Sequence, residues 1–378
     1  VKITGHASGS GVLTVTAPNT STDRTITLPD STGTILDNTS TLDATKLSGN
    51  LPAISAASLT NVPKDTTVGG RKNLFINGGF DVWQRGTSLA GASKFLADRW
   101  FNTTSGTQSR QTFTAGQTDV PHNPTYYYRQ VTGSTEWFET RQKIENVGIT
   151  AGRAVTLSYW MKGSSAFTNA PYQVQNFGGG GSSEVNAALS TASVTTSWAK
   201  YTHTFTPASV SGKTIGTNSY LQIHVLRANI NNLTVEIANV QLEFGSVATD
   251  FEQRSIGEEL TLCQRYYCTS FNLGATHEDN AHDGPVAAAL AYSATVATVT
   301  SIPFPSRMRA TPSLTLWGRN AGTGNFAIYK SANWTATTTH NGGTNHSHLN
   351  LYLQPSGGGM TAHNVYQTAG HYEADAEL

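Results

Sequence analysis

In RAVTLSYWMKG, residues 153–163, Val155, Leu157, Tyr159 and Met161 alternate with Thr156, Ser158, Trp160 and Lys162. That period of two marks a strand with one face in a core and the other outside it. SYLQIHVLR repeats the pattern, with Leu221, Ile223 and Val225 on one face and Tyr220, Gln222 and His224 on the other. WFETRQKIE places Phe138 and Ile144 opposite Trp137, Glu139, Arg141 and Lys143. In LTVEIANVQLEF the inward set Leu233, Val235 and Ile237 changes phase at Asn239 before Val240, Leu242 and Phe244, as a β-bulge would require. Many short strands between turn signals, from Asn73 to about Arg254, predict a β-sandwich or jelly roll.

Either side of this region the pattern differs. Residues 1–70 hold short β-branched runs, Val12–Val15 and Thr25–Leu28, then isolated Leu, Ile and Val among small and turn-forming residues. So thin a segment cannot cover a core unaided. It is either a shaft completed by three copies around one axis or a flexible Ser/Thr linker. Ser255-Ile256-Gly257-Glu258 fits a capping box, and Ile256, Leu260, Cys263 and Tyr267 fall at helical spacing, predicting one connecting helix over 255–268. Strand patterns return over 269–378 and predict a second β-sandwich.

Charged residues are 13% of the 378, against about a quarter in an ordinary soluble domain. The 24 basic and 24 acidic residues cancel, so the chain carries no electrostatic footprint for nucleic acid. No apolar run has the ~20 residues of a membrane span, and the N-terminus lacks a signal-peptide pattern. Membrane insertion is not expected. Cys263 and Cys268, five apart, point in different directions on either a helix or a strand and are expected to stay reduced.

LTVTAPNTSTDRTITLPDSTGTIL with LSGNLPAISAASLTNV resembles the shaft of bacteriophage tail fibres, and NLFINGGFDVWQRG, ADRW and IGEELTLCQRYY resemble the distal part of the same group. The order of an Asn-Gly-Gly-Phe opening, a central TLSYWMKG strand and a closing IANVQLEFG resembles jelly-roll carbohydrate-binding modules. The resemblance implies an all-β virion fibre: a thin trimeric N-terminal shaft (1–70), a central jelly roll (73–254), the helix (255–268) and a C-terminal knob (269–378). It implies a homotrimer assembled in the host cytoplasm, joined to other tail proteins through its N-terminal region, that attaches the virion to host surface glycan. A structural fibre or adaptor without glycan binding, and a glycan-depolymerising spike, are the competing roles. Modules of this kind often hold a structural calcium ion between the first and last strands, here beside Asp81, with Asn239 where an Asp is common.

Sugars are bound by stacking on aromatic rings while amides, imidazoles and charged groups bond the hydroxyls. Trp137, Trp160, Tyr220, Gln222 and His224 have that chemistry on non-core faces, and Tyr127 adds a ring. The alternative is that they pack against a neighbouring domain or subunit. His346 and His348, with His340 nearby, supply too few nitrogens for a closed metal site in one chain; three copies would supply enough. Catalysis is not expected: Asp81, Asp98, Glu136, Glu139 and Glu184 are candidate acids, but no spacing pairs them, and the common hydrolase and nucleotide motifs are missing.

Overall fold

A computed structural model describes residues 71–378 except 92, 104–105, 134–135, 277–285, 320–324 and 342, and leaves out the side chains of 136, 137, 286, 300, 340 and 341. The expected shaft lies outside the described residues. The central region is a sandwich of two six-stranded antiparallel sheets. The first runs Ser88–Ala90, Thr107–Thr112, Tyr126–Val131, Thr234–Phe244, Val155–Gly163, Ala199–Phe205. The second runs Val185–Ala188, Tyr172–Asn176, Tyr220–Ile230, Glu136–Glu145, Phe101–Asn102, Lys94–Phe95.

The alternation predicts the core. Val155, Leu157, Tyr159, Met161, Leu221, Ile223, Val225 and Phe138 are all inaccessible to solvent. Asn239 does sit at a bulge: the register between Val155–Gly163 and the closing strand shifts between Ala238 and Gln241, and Asn239 has φ of 48°, a left-handed conformation that Asn tolerates. A second bulge, between His224 and Leu226, buries both Val225 and Leu226. It moves Arg227 onto the face that already holds His224.

The opening motif and ADRW form one unit. Asn73 donates to the Val240 carbonyl (2.9 Å) and accepts from the Leu242 amide (3.0 Å), stitching the chain to the bulged strand. Gly78 runs so close to that strand that a Cβ would stand 2.2 Å from the Val240 oxygen. Asn77 bonds the Val82 and Asp98 carbonyls, and its own carbonyl takes the Trp100 indole N–H at 2.8 Å. Phe75 and Phe80 pack on Trp100 with centroids 5.2 and 5.3 Å apart.

Helix α1 spans Ile256–Gln264, with Ser255 accepting from the Glu258 amide as the capping pattern requires. It is shorter than expected and turns a different face inward, burying Glu259 and Cys263 while Ile256 is exposed. Tyr267 and Cys268 belong instead to strand Tyr267–Thr269, because pairing with His371–Asp375 satisfies their backbone. Both thiols are buried and free.

The C-terminal region corrects the expectation of a second sandwich. Strands Val286–Ala291, Ala297–Pro303, His348–Pro355, Asn333–Asn341, Ala327–Lys330 and Val365–Ala369 close into a barrel. Small inward residues, Ala289, Ala291 and Ala297, leave room for Leu349, Leu351 and Leu353 in a tight barrel, and closure leaves no strand edge unpaired. Tyr267–Thr269, His371–Asp375 and Ser313–Trp317 form a separate three-stranded sheet.

Candidate functional site

The outward face of the second sheet carries a dense polar and aromatic array. Register places Arg141 beside His224, Lys143 beside Gln222 and Glu139 beside Arg227; on the other side, Tyr172 lies beside His224. Glu139 is the hub, 3.2 Å from Arg141, 3.3 Å from Arg227 and 3.3 Å from His224 Nδ1. Partial burial works against its charge, but His224, Arg141 and Arg227 outweigh that and hold the carboxyl below its ordinary pKa.

The rings of this face are each met by a cation. Arg227 stands 5.0 Å from the Tyr172 centroid, Lys143 4.3 Å from Tyr220 and Arg141 4.8 Å from Phe101. Gln222 and His224 are only 6% and 4% exposed and bond each other at 2.7 Å. They form the floor that orients Glu139 and the two arginines, which reach the surface. Such an array offers fixed charge-assisted hydrogen bonds beside ring edges and faces.

Tyr220, Gln222 and His224 are thus brought together, and Trp137 stands in the same sheet opposite Asn229, its side chain outside the described residues. Trp160 and Tyr127 are on the outward face of the first sheet, across the sandwich. Trp160 pairs in register with Lys200 and Ala238. Tyr127 packs with Phe113 (4.6 Å) and Trp198 (5.5 Å). The six sequence candidates therefore do not form one site. Tyr172 and Arg227 are the contacts that sequence reasoning misses. In YQVQN the glutamines Gln173 and Gln175 face inward, inverting the usual polarity, and Arg227 reaches the face only through the second bulge.

Asp81 and Asn239 line one polar cavity of about 270 Å³, as the jelly-roll resemblance implies. Arg254 lines it too and binds Glu252 at 3.0 Å, Glu259 at 3.3 Å and the Phe75 carbonyl at 3.0 Å. Calcium needs six to eight oxygens; here a guanidinium has taken two of the three carboxylates. The described residues hold no group of three His, Cys, Asp or Glu placed for a metal. Burial, aided by Glu259, pushes the Asp81 carboxyl up to about 6.

His346 and His348 lie at the start of strand His348–Pro355. Asn345 stands 3.1 Å from Nε2 of His348 and Ser347 3.1 Å from its Nδ1, so a metal on either nitrogen would have to displace the partner there. The side chain of His340 is outside the described residues. Of the candidate acids, Asp98 is buried against Arg85 at 3.0 Å and Glu184 is exposed beside Asn186. The Glu136 side chain is not among those described.

Fold and face together define an all-β chain whose sandwich presents a charged, ring-bearing sheet surface. No family model matches the chain, and no curated protein matches it. Among solved structures it is similar to the enzymatically active domain of bacteriophage CBA120 tailspike protein 4, with 12% identity and a TM-score of 0.29, over 46% of this chain and 21% of that one. The match therefore spans about a fifth of that domain's chain. It is also similar to a CBM4 structure (16% identity, TM-score 0.29, 45% of this chain and 98% of that one). A third is the CBM22-1 xylan-binding domain of Paenibacillus barcinonensis Xyn10C (12%, 0.29, 44% and 99%).

Proposed function

We propose that this chain is the receptor-binding part of a bacteriophage tail fibre, which attaches the virion to host surface glycan without cleaving it. The carrying observation is the Glu139 hub on the second sheet, where Arg141, Arg227 and His224 converge beside Tyr172 and Tyr220. Sugar hydroxyls, and any carboxylate on the glycan, meet donors already fixed in place, while ring faces meet Tyr172 and Tyr220. Assignment to a fibre rests on the shaft-like and distal sequence segments. Trimerisation through residues 1–70 would multiply weak single-site contacts into avidity.

A general acid needs a raised pKa, whereas His224, Arg141 and Arg227 hold Glu139 below its ordinary value, which speaks against Glu139 in that one role. A glycan-array screen of the full chain tests the proposal. The expected result is retention of a defined glycan class that Arg227→Ala weakens at least tenfold, with no shortened oligosaccharides released. An array without any retained glycan contradicts the binding claim, and release of oligosaccharides contradicts the non-catalytic one.

A further inference from the structure

Where the sandwich meets the three-stranded sheet there is a groove of about 750 Å³, within the range of ligand sites and at a junction where such sites concentrate. Its floor follows from strand register. In the three-stranded sheet Tyr267, Asp375 and Ser313 form one row, Thr269, Glu373 and Thr315 the next, and His371 and Trp317 a third. The alternate residues, Cys268, Ala374 and Tyr372, belong to the barrel core. One face of this small sheet is therefore committed to packing, and the other bears two carboxylates, hydroxyls and an indole. The opposite wall is built from residues 84–89, Lys94, Phe95 and Phe101 of the sandwich, the last of which also borders the outward face of the second sheet.

The two walls are held apart and in register by a buried clamp. Arg85 bonds Asp98 at 3.0 Å and reaches Asp375 and Glu377 at 3.4 Å, while its guanidinium carbon lies 3.6 Å from the Tyr267 centroid. Asp375 keeps nearly half of its side-chain surface exposed, so the clamp leaves this carboxylate open to the groove. The junction keeps an open, preformed cleft whose walls offer hydroxyls, carboxylate acceptors and the Trp317 ring.

We infer that this groove is a second, independent saccharide site, fitted to a neutral hydroxyl-rich oligosaccharide. Glu373 and Asp375 accept from sugar hydroxyls, Ser313, Thr315 and Ser88 exchange hydrogen bonds with them, and Trp317 offers a stacking surface. The two floor carboxylates are opposed by Arg85 and Lys94 on the facing wall, so the groove carries no excess of charge to select an anionic sugar, in contrast to the arginine-bearing face of the second sheet. The two sites thus select different sugar chemistry on one chain.

Calorimetric titration of the full chain with maltohexaose, cellohexaose and xylohexaose tests this site separately from the sheet face. Thr315→Arg fills the groove from the floor, and Ser88→Trp fills it from the opposite wall; both positions are solvent-exposed. The expected result is that at least one hexaose binds, that each plug weakens it at least tenfold with the far-UV spectrum unchanged, and that Arg227→Ala leaves it within twofold. Should one plug fail to fold, the other decides. Failure of all three hexaoses to bind, or affinity within twofold of the unmodified chain in a folded plug variant, overturns the inference. Loss with Arg227→Ala alone would assign neutral sugars to the sheet face instead.

Discussion

The guanidinium carbon of Arg85 lies 3.6 Å from the centroid of the Tyr267 ring, joining the opening motif of the sandwich to the first strand of the three-stranded sheet. Burial opposes the charge of Arg85, but Glu377, Asp98 and Asp375 outweigh it and raise its pKa. Asp98 would lose its partner if this cation were removed. Arg85→Ala is therefore expected to destabilise the chain by about 3–5 kcal/mol, read from urea unfolding. A loss below ~1 kcal/mol would show that the clamp is a surface pair in effect.

Gly78 gives a steric prediction. Its missing Cβ would stand 2.2 Å from the Val240 carbonyl oxygen, in the bulge that Asn73 also grips. Gly78→Ala should cost about 1–3 kcal/mol through displaced backbone, measurable as a lower Tm. Gly133→Ala is the control, since no described residue lies within 4 Å of its added carbon.

Arg254 gives a prediction about metal. Its guanidinium bonds Glu252 and Glu259 and is expected to hold the opening and closing segments together in place of an ion. Chelation by EDTA should leave Tm unchanged, whereas Arg254→Met should lower stability by about 1–3 kcal/mol by removing the cation from Glu259 and from the Phe75 and Asn73 carbonyls. A chelator-induced fall in Tm, reversed by calcium, would contradict this.

Asp81 sets a pH dependence. Its folded-state pKa of about 6 lies above the ordinary carboxylate value because of burial and Glu259. The folded state therefore holds the proton more tightly, and ionised Asp81 costs stability fully above pH ~6 and not at all below pH ~4. Asp81→Asn should raise stability at pH 7–8 by up to about 3 kcal/mol and have little effect at pH 4. Equal effects at both pH values would contradict the assignment.

Much of the sandwich is legible in the sequence because period-two alternation survives wherever one sheet face is buried. Val155 to Met161 and Leu221 to Val225 show it directly, and even the Asn239 bulge is visible as a phase slip. The barrel is less legible: the alternation of Leu349, Leu351 and Leu353 predicts a half-buried strand but does not say whether its sheet closes. Helix α1 ends before the spacing predicts, because Tyr267 continues the helical period while pairing with His371–Asp375 draws it into a strand.

The candidate site is legible only in part for a related reason. Alternation assigns a residue to a face of its own strand, and nothing local says which of two sheets that strand joins. Trp160 and Tyr220 therefore look equivalent in sequence and lie on opposite sides of the molecule. Arg227 joins His224 only because of a bulge at Val225-Leu226, two adjacent apolar residues where the inward set changes phase from Leu221, Ile223 and Val225 to Leu226 and Ala228.

Amide hydrogen exchange of the full chain, with and without host surface polysaccharide, tests the central claim most directly. The account predicts protection concentrated in the strands Glu136–Glu145, Tyr172–Asn176 and Tyr220–Ile230, and its loss in the Arg227→Ala variant. Protection confined to the outward face of the first sheet, around Tyr127 and Trp160, or no protection at a saturating polysaccharide concentration, would contradict it.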